Sequence, residues 1–483
     1  MNKHDVIIIG GGAVGSAIAW RLSRYDADIA VLEKNHDVAM GTSGKNSAVA
    51  HAGFNNKPGS LMAELCVKGN EGFEKLCADL DVPYKKTGKL VVGFDDTDKA
   101  GVEEILENGR KNHCKGLRAI DKEQIRELEP SARGEFALYS PNTAVMNPFL
   151  YNIHLAEAAL GNGVTYYLES GVTSIRKAGG SFILEAGGKT FSCDILINAA
   201  GLYADEVAAM AGDTGYKIYP CRGQYYILDK KVSSFLHMPV YPVPRKGLGG
   251  LGVHLTPTID GNVLIGPSAE YVDDKEEYST TAEVARQLLS EAGTLMPSVS
   301  GRDIIGGFNG IRAKLVAKGQ ENYGDFIIEK SAKVENMIQL VGIESPGLTS
   351  SAPIADYVLE LLDADRRFTR RKDYKATYRG QRLFRDMSRE EQNRMIAEDP
   401  RYGQMICRCE NVTKADVIRA LENPLGARSV ISVKNRVRAM MGRCQGGHCF
   451  ARIVEIMEEE LNASPEELIY RTEGDRLFMG DLK

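Results

Sequence analysis

The sequence predicts an α/β protein in three parts: a Rossmann-type dinucleotide-binding domain, an antiparallel sheet inserted into it, and a small, mainly helical C-terminal domain held by cysteines. Three observations predict this. Residues 5–34 read strand, glycine turn, helix, strand, with G-x-G-x-x-G at Gly10, Gly12 and Gly15. Residues 83–150 and 216–320 carry alternating, β-branched and aromatic runs such as TGKLVVGF, GQYYILDK and GNVLIGP, the pattern of half-buried strands. Four cysteines, Cys407, Cys409, Cys444 and Cys449, are gathered as C-x-C and C-x-x-x-x-C.

In the first element, Val6 to Ile9 is a continuous apolar run, as in a parallel strand covered on both faces. Gly10 permits the tight turn, Gly12 lets the backbone approach a pyrophosphate, and Gly15 lets helix and strand pack closely. The helix N-terminus then meets the phosphates with its partial positive charge. Ile29 to Leu32 is the second strand, and Glu33 ends it. An acid there accepts hydrogen bonds from a ribose diol and repels a 2′-phosphate. That argues against NADP and leaves NAD and FAD open.

Bulk composition narrows the class further. The 483 residues are 43% hydrophobic and 26% charged, enough for several domains with full cores. A net charge of −5 gives no global basic field for nucleic acid. No apolar run reaches the roughly 18 residues of a membrane span. The N-terminus runs into a strand without the layout of a signal peptide. The expected location is cytoplasmic, with any membrane association indirect, through a partner. Cys66, Cys77, Cys114, Cys193 and Cys221 are scattered and read as reduced core residues.

Three later segments separate the cofactors. CDILINAAGLYADEVAAMAG is a strand, then Ala199, Ala200 and Gly201, then a helix. NYGDFIIEKS places Gly324 and Asp325 before a strand, and MIQLVGIESPGLTSSAPIADYVLELL is a strand, a loop and a long helix. Together they resemble the FAD-binding elements of the D-amino-acid-oxidase-like, glutathione-reductase-type flavoprotein superfamily, over roughly residues 1–362. The resemblance implies FAD. It implies that Lys34, Thr42, Ser43, Ala200 and Gly201 line the cofactor, and that Gly324 and Asp325 approach its ribityl and phosphate region. It also implies that Gly347, Leu348 and Thr349 turn a helix N-terminus toward the flavin pyrimidine edge. A reduced flavin gains negative charge there, and a helix N-terminus stabilises it.

The stretches NSAVAHAGFNNKPGSL, YPCRGQYYIL, YPVPRKGLGGLGVHLTPTIDGNVLIGP and GGFNGIRAK resemble L-2-hydroxyglutarate oxidases and dehydrogenases. They imply oxidation of a small anionic hydroxy compound. Such chemistry needs a base for the hydroxyl proton and a cation for the anionic group. His51 and His254 lie in glycine-bounded loops and are the candidate bases. Arg312 is the candidate anion holder, because guanidinium binds carboxylate or phosphate through two parallel hydrogen bonds. Arg222 and Arg245 are second candidates.

Residues 363–404 are densely charged and weighted to arginine. They read as a solvated connector or as a docking strip. In the C-terminal module, Thr413 caps a short helix, and an amphipathic helix begins at Cys449. Each cysteine pair therefore leads into a helix N-terminus, which stabilises thiolates. The order resembles the bacterioferritin-associated-ferredoxin (BFD-like) type of [2Fe–2S] domain; tetrahedral zinc is the competing reading.

The domains are expected at 1–82, 151–215 and 321–362 for FAD, and at 83–150 and 216–320 for substrate. The linker covers 363–404, the cluster domain 405–463 and a tail 464–483. This combination resembles the large subunit of anaerobic glycerol-3-phosphate dehydrogenase. It implies a dehydrogenase that passes electrons from FAD through [2Fe–2S] to an electron-accepting protein subunit. Glycerol 3-phosphate is the leading substrate and L-2-hydroxyglutarate the alternative. An electron-transfer subunit without a small substrate is the third reading.

Overall fold

The computed structural model describes residues 1–244, 252–320, 324–471 and 474–478. Its first eight-stranded sheet is built round β1 (Asn2–Ile9). Parallel to β1 run β2 (Ile29–Leu32) on one side and Lys189–Asn198 on the other. Thr165–Tyr167 and Met337–Val341 extend the parallel set. The hairpin strands Val172–Ala178 and Ser181–Ala186 join it antiparallel. Side chains alternate across β1. Val6 and Ile8 enter a core with α1 (Ala13–Leu22), α2 (Leu61–Asp79) and the helices Pro148–Leu160 and Gly347–Leu362. Ile7 and Ile9 enter a second core with Phe182, Phe191 and Val207. Burial on both faces is why the strand reads as an unbroken apolar run.

The glycine turn is held by sterics. Gly10 has φ +105°, a left-handed conformation that side chains avoid. A Cβ on Gly15 would lie 2.0 Å from the Gly10 carbonyl oxygen. Only a bare backbone lets α1 start this close to the end of β1.

The second sheet has nine strands and gathers segments from both predicted insertions. Its spine is the long antiparallel pair Tyr219–Leu228 and Ile304–Lys314. Among the described residues one pair departs from the expected antiparallel pattern: Val240–Pro242 runs parallel to Lys89–Gly93. These strands come from separate insertions, so no hairpin dictates their relative direction. Gly310 brings this sheet against the flavin-side loop; a Cβ there would meet the Lys45 carbonyl at 1.9 Å. The two sheets are thus joined backbone to backbone beside the cavity described below.

The arginine-rich linker is laid along the first domain. The Asp26 amide donates to Thr369, Arg371 to Arg24 and Tyr378 to Asp79, at 2.7, 2.7 and 2.8 Å. Farther on, the Phe384 amide donates to Asp416 and the Arg385 guanidinium to the Glu410 carbonyl. The linker therefore touches both the first domain and the C-terminal module.

That module packs helices Lys414–Leu421, Val430–Val437 and Phe450–Leu461 round its own core. Thr413 and Asp416 close a reciprocal cap on the first. Arginines dock the module. Arg436, 7% exposed, binds the fully buried Asp37 carboxylate and approaches Glu157 at 3.5 Å. Arg438 reaches Asp260 at 2.7 Å, and Arg443 reaches Asp229 at 2.6 Å. The module therefore rests on both larger domains.

Replacing Arg436 with Ala leaves buried carboxylates unpaired. The expected loss is about 3–5 kcal/mol in urea denaturation, whereas Arg436→Met with Asp37→Leu recovers most of it. Equal stability of the single and double variants would refute this account.

Candidate active site and cluster centre

A cavity of about 1310 Å³ opens between the two sheets. It is larger than an ordinary drug-sized pocket, so it has room for a dinucleotide and a small second molecule. At one end Gly10 and Gly12 line it, with Gly15 beneath as the packing contact. The Ser43 hydroxyl accepts the Ala13 amide at 2.9 Å and would lie 3.1 Å from a Cβ at Gly12. Any side chain at Gly12 would fill the cradle. Glu33 lines the same end. Its carboxylate accepts the Gly11 amide at 2.8 Å and both nitrogens of Asn35, and burial raises its pKa. Lys34, Thr42, Ala200, Gly201, Gly324, Gly347 and Leu348 also line the cavity. The Thr42 hydroxyl donates to the Ile311 carbonyl, linking the two sheets.

The far end gathers His51, His254 and Arg312 with Tyr225 and Tyr241. Thr349 lies just under the lining, and its hydroxyl accepts the His51 amide at 3.0 Å. This ties His51 to the first turn of helix Gly347–Leu362. His51 Nε2 is 3.5 Å from the Ser345 hydroxyl. Burial lowers the His51 pKa to about 3 and holds His254 well below its ordinary value, so both rings are neutral. His254 stacks on Tyr241 with centroids 3.7 Å apart. Its Nδ1 lies 3.1 Å from the Gly252 carbonyl, so Nδ1 carries the hydrogen and Nε2 presents a lone pair. That Nε2 is buried without a partner. The Arg312 guanidinium donates to the Ser268 carbonyl at 3.3 Å through both terminal nitrogens and forms no salt bridge within 4 Å among the described residues.

Two expected residues are placed elsewhere, and a third is not described. Arg222 does not line the cavity; Glu270 and Glu277 bind it at 2.6 and 3.0 Å, and Ser279 completes its shell. Its neighbours on the sheet edge are acids, which satisfy the guanidinium in place of a ligand. Asp325 also lies outside the lining. Its carboxylate accepts the Leu61 and Met62 amides at 2.7 and 2.9 Å, anchoring the α2 N-terminus. Arg245 lies outside the described residues.

Three cations went unmarked in the sequence. Lys45 lines the cavity, with its ammonium 3.2 Å from the Tyr278 ring centre. Arg471 reaches the same cavity from the C-terminal tail. Lys89 is fully buried behind Tyr241, 3.4 Å from that ring centre, and its ammonium has no hydrogen-bond partner. The available signal for Lys89 was a lysine inside the apolar run TGKLVVGF; Lys45 and Arg471 gave none.

In the C-terminal module the sulfurs come as two pairs. Cys409 and Cys444 are 3.8 Å apart, and Cys407 is hydrogen-bonded by Cys449. The second pair is buried, while Cys409 is exposed and Cys444 half-buried. Among the described residues no three potential ligands converge on one point. Two pairs suit two irons, each taking two thiolates; a single tetrahedral zinc needs all four together. Amides of Glu410, Cys409 and Met440 point at the Cys407 sulfur, and those of Gly446 and His448 at Cys444. Left-handed φ at Arg438, Met440 and Gln445 turns the loop so that these N–H groups face inward. Such a nest stabilises an anionic cluster. The other five cysteines are free, four of them buried. No helix among the described residues is long and apolar enough to cross a membrane.

A glycine cradle with its terminal acid, a helix N-terminus at the far end, neutral bases and a thiolate nest define an iron–sulfur flavoprotein oxidoreductase. The chain belongs to the FAD dependent oxidoreductase (DAO) family, which matches residues 5–361, and residues 405–459 match the BFD-like [2Fe-2S] binding domain. Its cofactors are FAD and a [2Fe–2S] cluster, and it is an FAD-dependent dehydrogenase of the glycerol-3-phosphate-dehydrogenase-like kind. It is 37% identical to a glycerol 3-phosphate dehydrogenase of Caloramator mitchellensis, over 99% of both chains. It is 31% identical to a mitochondrial L-2-hydroxyglutarate dehydrogenase of Nematostella vectensis, over 76% of this chain and 92% of the relative. Among solved structures, the FAD-bound, dithionite-reduced L-α-glycerophosphate oxidase of Mycoplasma pneumoniae superposes with a TM-score of 0.73 at 29% identity. That match covers 78% of this chain and 99% of the oxidase.

Two outcomes follow from this geometry. Cys407→Ser is expected to abolish the electron paramagnetic resonance signal of the reduced cluster while bound FAD is kept; an unchanged signal would remove Cys407 from the ligand set. Lys89→Met is expected to stabilise the fold by about 1–3 kcal/mol at neutral pH, because it removes a buried polar group without a partner. Burial lowers the Lys89 amine to about 7, from 10.5. Between those values the unfolded chain binds more protons, so wild-type stability rises with pH. The variant's advantage is therefore full below pH 7 and fades toward pH 10.5 in denaturation curves. A variant less stable than wild type would contradict this.

Proposed function

We propose that the chain oxidises the secondary hydroxyl of glycerol 3-phosphate and passes the electrons through its cluster to a partner protein. The observation that carries this is Arg312, a half-buried guanidinium held by a carbonyl and without a salt bridge among the described residues, at the end of the cavity that holds two neutral imidazoles. A charge so placed calls for an anionic ligand. The relative spanning the full chain, and the superposed oxidase, both act on glycerol phosphate by name. The site residues from the sequence keep their proposed roles: Arg312 holds the anion, and Gly10, Gly12, Glu33, Thr42, Ser43 and Gly347 hold FAD.

His51 is the proposed proton acceptor, because its amide is tied to the helix turn at Thr349. It takes the hydroxyl proton as the C–H bond breaks, and the carbon becomes a ketone. The bare Nε2 of His254 accepts a further hydrogen bond from the substrate and fixes its orientation. FAD, when bound, supplies the acceptor for the hydride. The Cys407–Cys449 pair is buried, and in the other pair Cys409 is exposed and Cys444 half-buried; together they would hold the cluster. The cluster, when bound, would supply the one-electron path to a protein acceptor, with exposed Cys409 on its route to solvent.

L-2-hydroxyglutarate is the second reading, supported by the relatives of that name and by the loops carrying His51 and His254. A role as an electron-transfer subunit is the third.

Anaerobic titration distinguishes them: glycerol 3-phosphate is expected to bleach the flavin, with L-2-hydroxyglutarate inert. Bleaching by neither compound would refute both substrate readings. His51→Ala is expected to slow flavin reduction about 10²–10⁴-fold with FAD still bound; an unaffected rate would favour the electron-transfer reading. Because burial holds His51 at about 3, the reduction rate is expected to persist below pH 6.5, where an exposed histidine would protonate.

A further inference from the structure

The C-terminal tail contributes to a cavity that belongs to the other end of the chain. After helix Phe450–Leu461 the tail folds back on its own module. The Ile469 and Tyr470 carbonyls accept the Val430 and Ile431 amides, both at 3.0 Å. The Tyr470 amide donates to the Asp475 carbonyl at 2.9 Å. The next residue is Arg471, and this anchoring holds it at the cavity wall. Its guanidinium lies 5.4 Å from the Tyr278 ring centre, and the Lys45 ammonium lies 3.2 Å from the same ring.

Two cations therefore converge on one tyrosine. Burial, with Arg471 as the next cause, lowers the Lys45 amine to about 7. Glu276, the acid facing Lys45, is already engaged: Lys34 binds it at 2.5 Å and the Tyr203 hydroxyl donates to it. Among the described residues Arg471 pairs with Asp475 alone, at 3.3 Å and half-exposed. Among the described residues neither cation has a buried carboxylate within 4 Å. The wall's position indicates which anion it would hold. Lys45 is two residues beyond Ser43, which holds the Ala13 amide at the start of α1 beside Gly12. Glu276, which faces Lys45, is bound by Lys34, the residue after Glu33, so this wall lies toward the Glu33 end of the cavity.

We propose that Arg471, carried by the iron–sulfur module, joins Lys45 in holding the diphosphate of FAD, so that the C-terminal tail completes the flavin site. This rests on FAD binding alone and not on the choice of substrate. A cation that binds a phosphate oxygen through a charge-assisted hydrogen bond typically contributes tenfold or more in affinity.

The test uses full-length protein with its cluster intact, freed of FAD and titrated with it while flavin fluorescence is followed. Arg471→Ala is expected to raise the FAD dissociation constant about tenfold, with the cluster absorbance unchanged. Arg471→Lys is expected to recover most of that loss. Asp475→Asn, which breaks the Arg471–Asp475 pair and keeps the guanidinium, is expected to bind FAD as tightly as wild type. Unchanged FAD affinity in Arg471→Ala overturns the proposal. So does a loss in Asp475→Asn equal to that in Arg471→Ala, since the tail's fold would then be the cause. If FAD affinity holds and only the KM for glycerol 3-phosphate rises, the anion is the substrate's, and the proposal is again overturned.

Discussion

The approach of Gly15 to the carbonyl of Gly10 is the contact on which the rest depends. A Cβ at Gly15 would sit 2.0 Å from that oxygen, so helix and strand meet only because neither carries a side chain there. From this contact α1 takes its direction, and its first turn comes to face the cavity. The acid at the end of β2 then reaches back to the Gly11 amide, and Ser43 to the Ala13 amide. Gly310 repeats the device between domains, letting the second sheet close on the Lys45 carbonyl. The cavity wall is thus set by backbone approaches that any larger residue would push apart.

Charge is arranged by a different rule, and it separates structural from functional cations. Arg436, Arg438 and Arg222 are buried, and each has carboxylate partners. They hold domains or sheet edges together. Lys89 is also buried, and Arg312 and Lys45 partly so, yet none forms a salt bridge within 4 Å among the described residues. Burial without an acid disfavours the charged form of an amine, which is why both lysines titrate near 7. Arg312 and Lys45 line the cavity; Lys89, behind Tyr241, instead raises the cost of protonating His51 and His254.

The module at the C-terminus is tied in at three levels. The linker is laid along the flavin domain, arginines bridge to both larger domains, and the tail reaches the cavity. Within it, one sulfur pair is buried and the other meets solvent.

Much of this was legible because some physics is local. Gly10, Gly12, Gly15 and Glu33 act over a single strand–turn–helix–strand unit, and the thiolate spacing and the Thr413–Asp416 cap are equally short-ranged. The chain alone therefore carried the dinucleotide fingerprint, the cysteine pattern of the cluster domain and the division into an α/β domain, an inserted sheet and a helical module. Tertiary structure decided which charged groups meet. Arg222 and Asp325 carry the right chemistry for a site, but Glu270, Glu277 and the α2 amides take them up. Lys45 and Arg471, separated by most of the chain, were brought to one ring. Coulombic and desolvation effects depend on distance and burial in space, and residue spacing carries neither once the chain has folded back on itself.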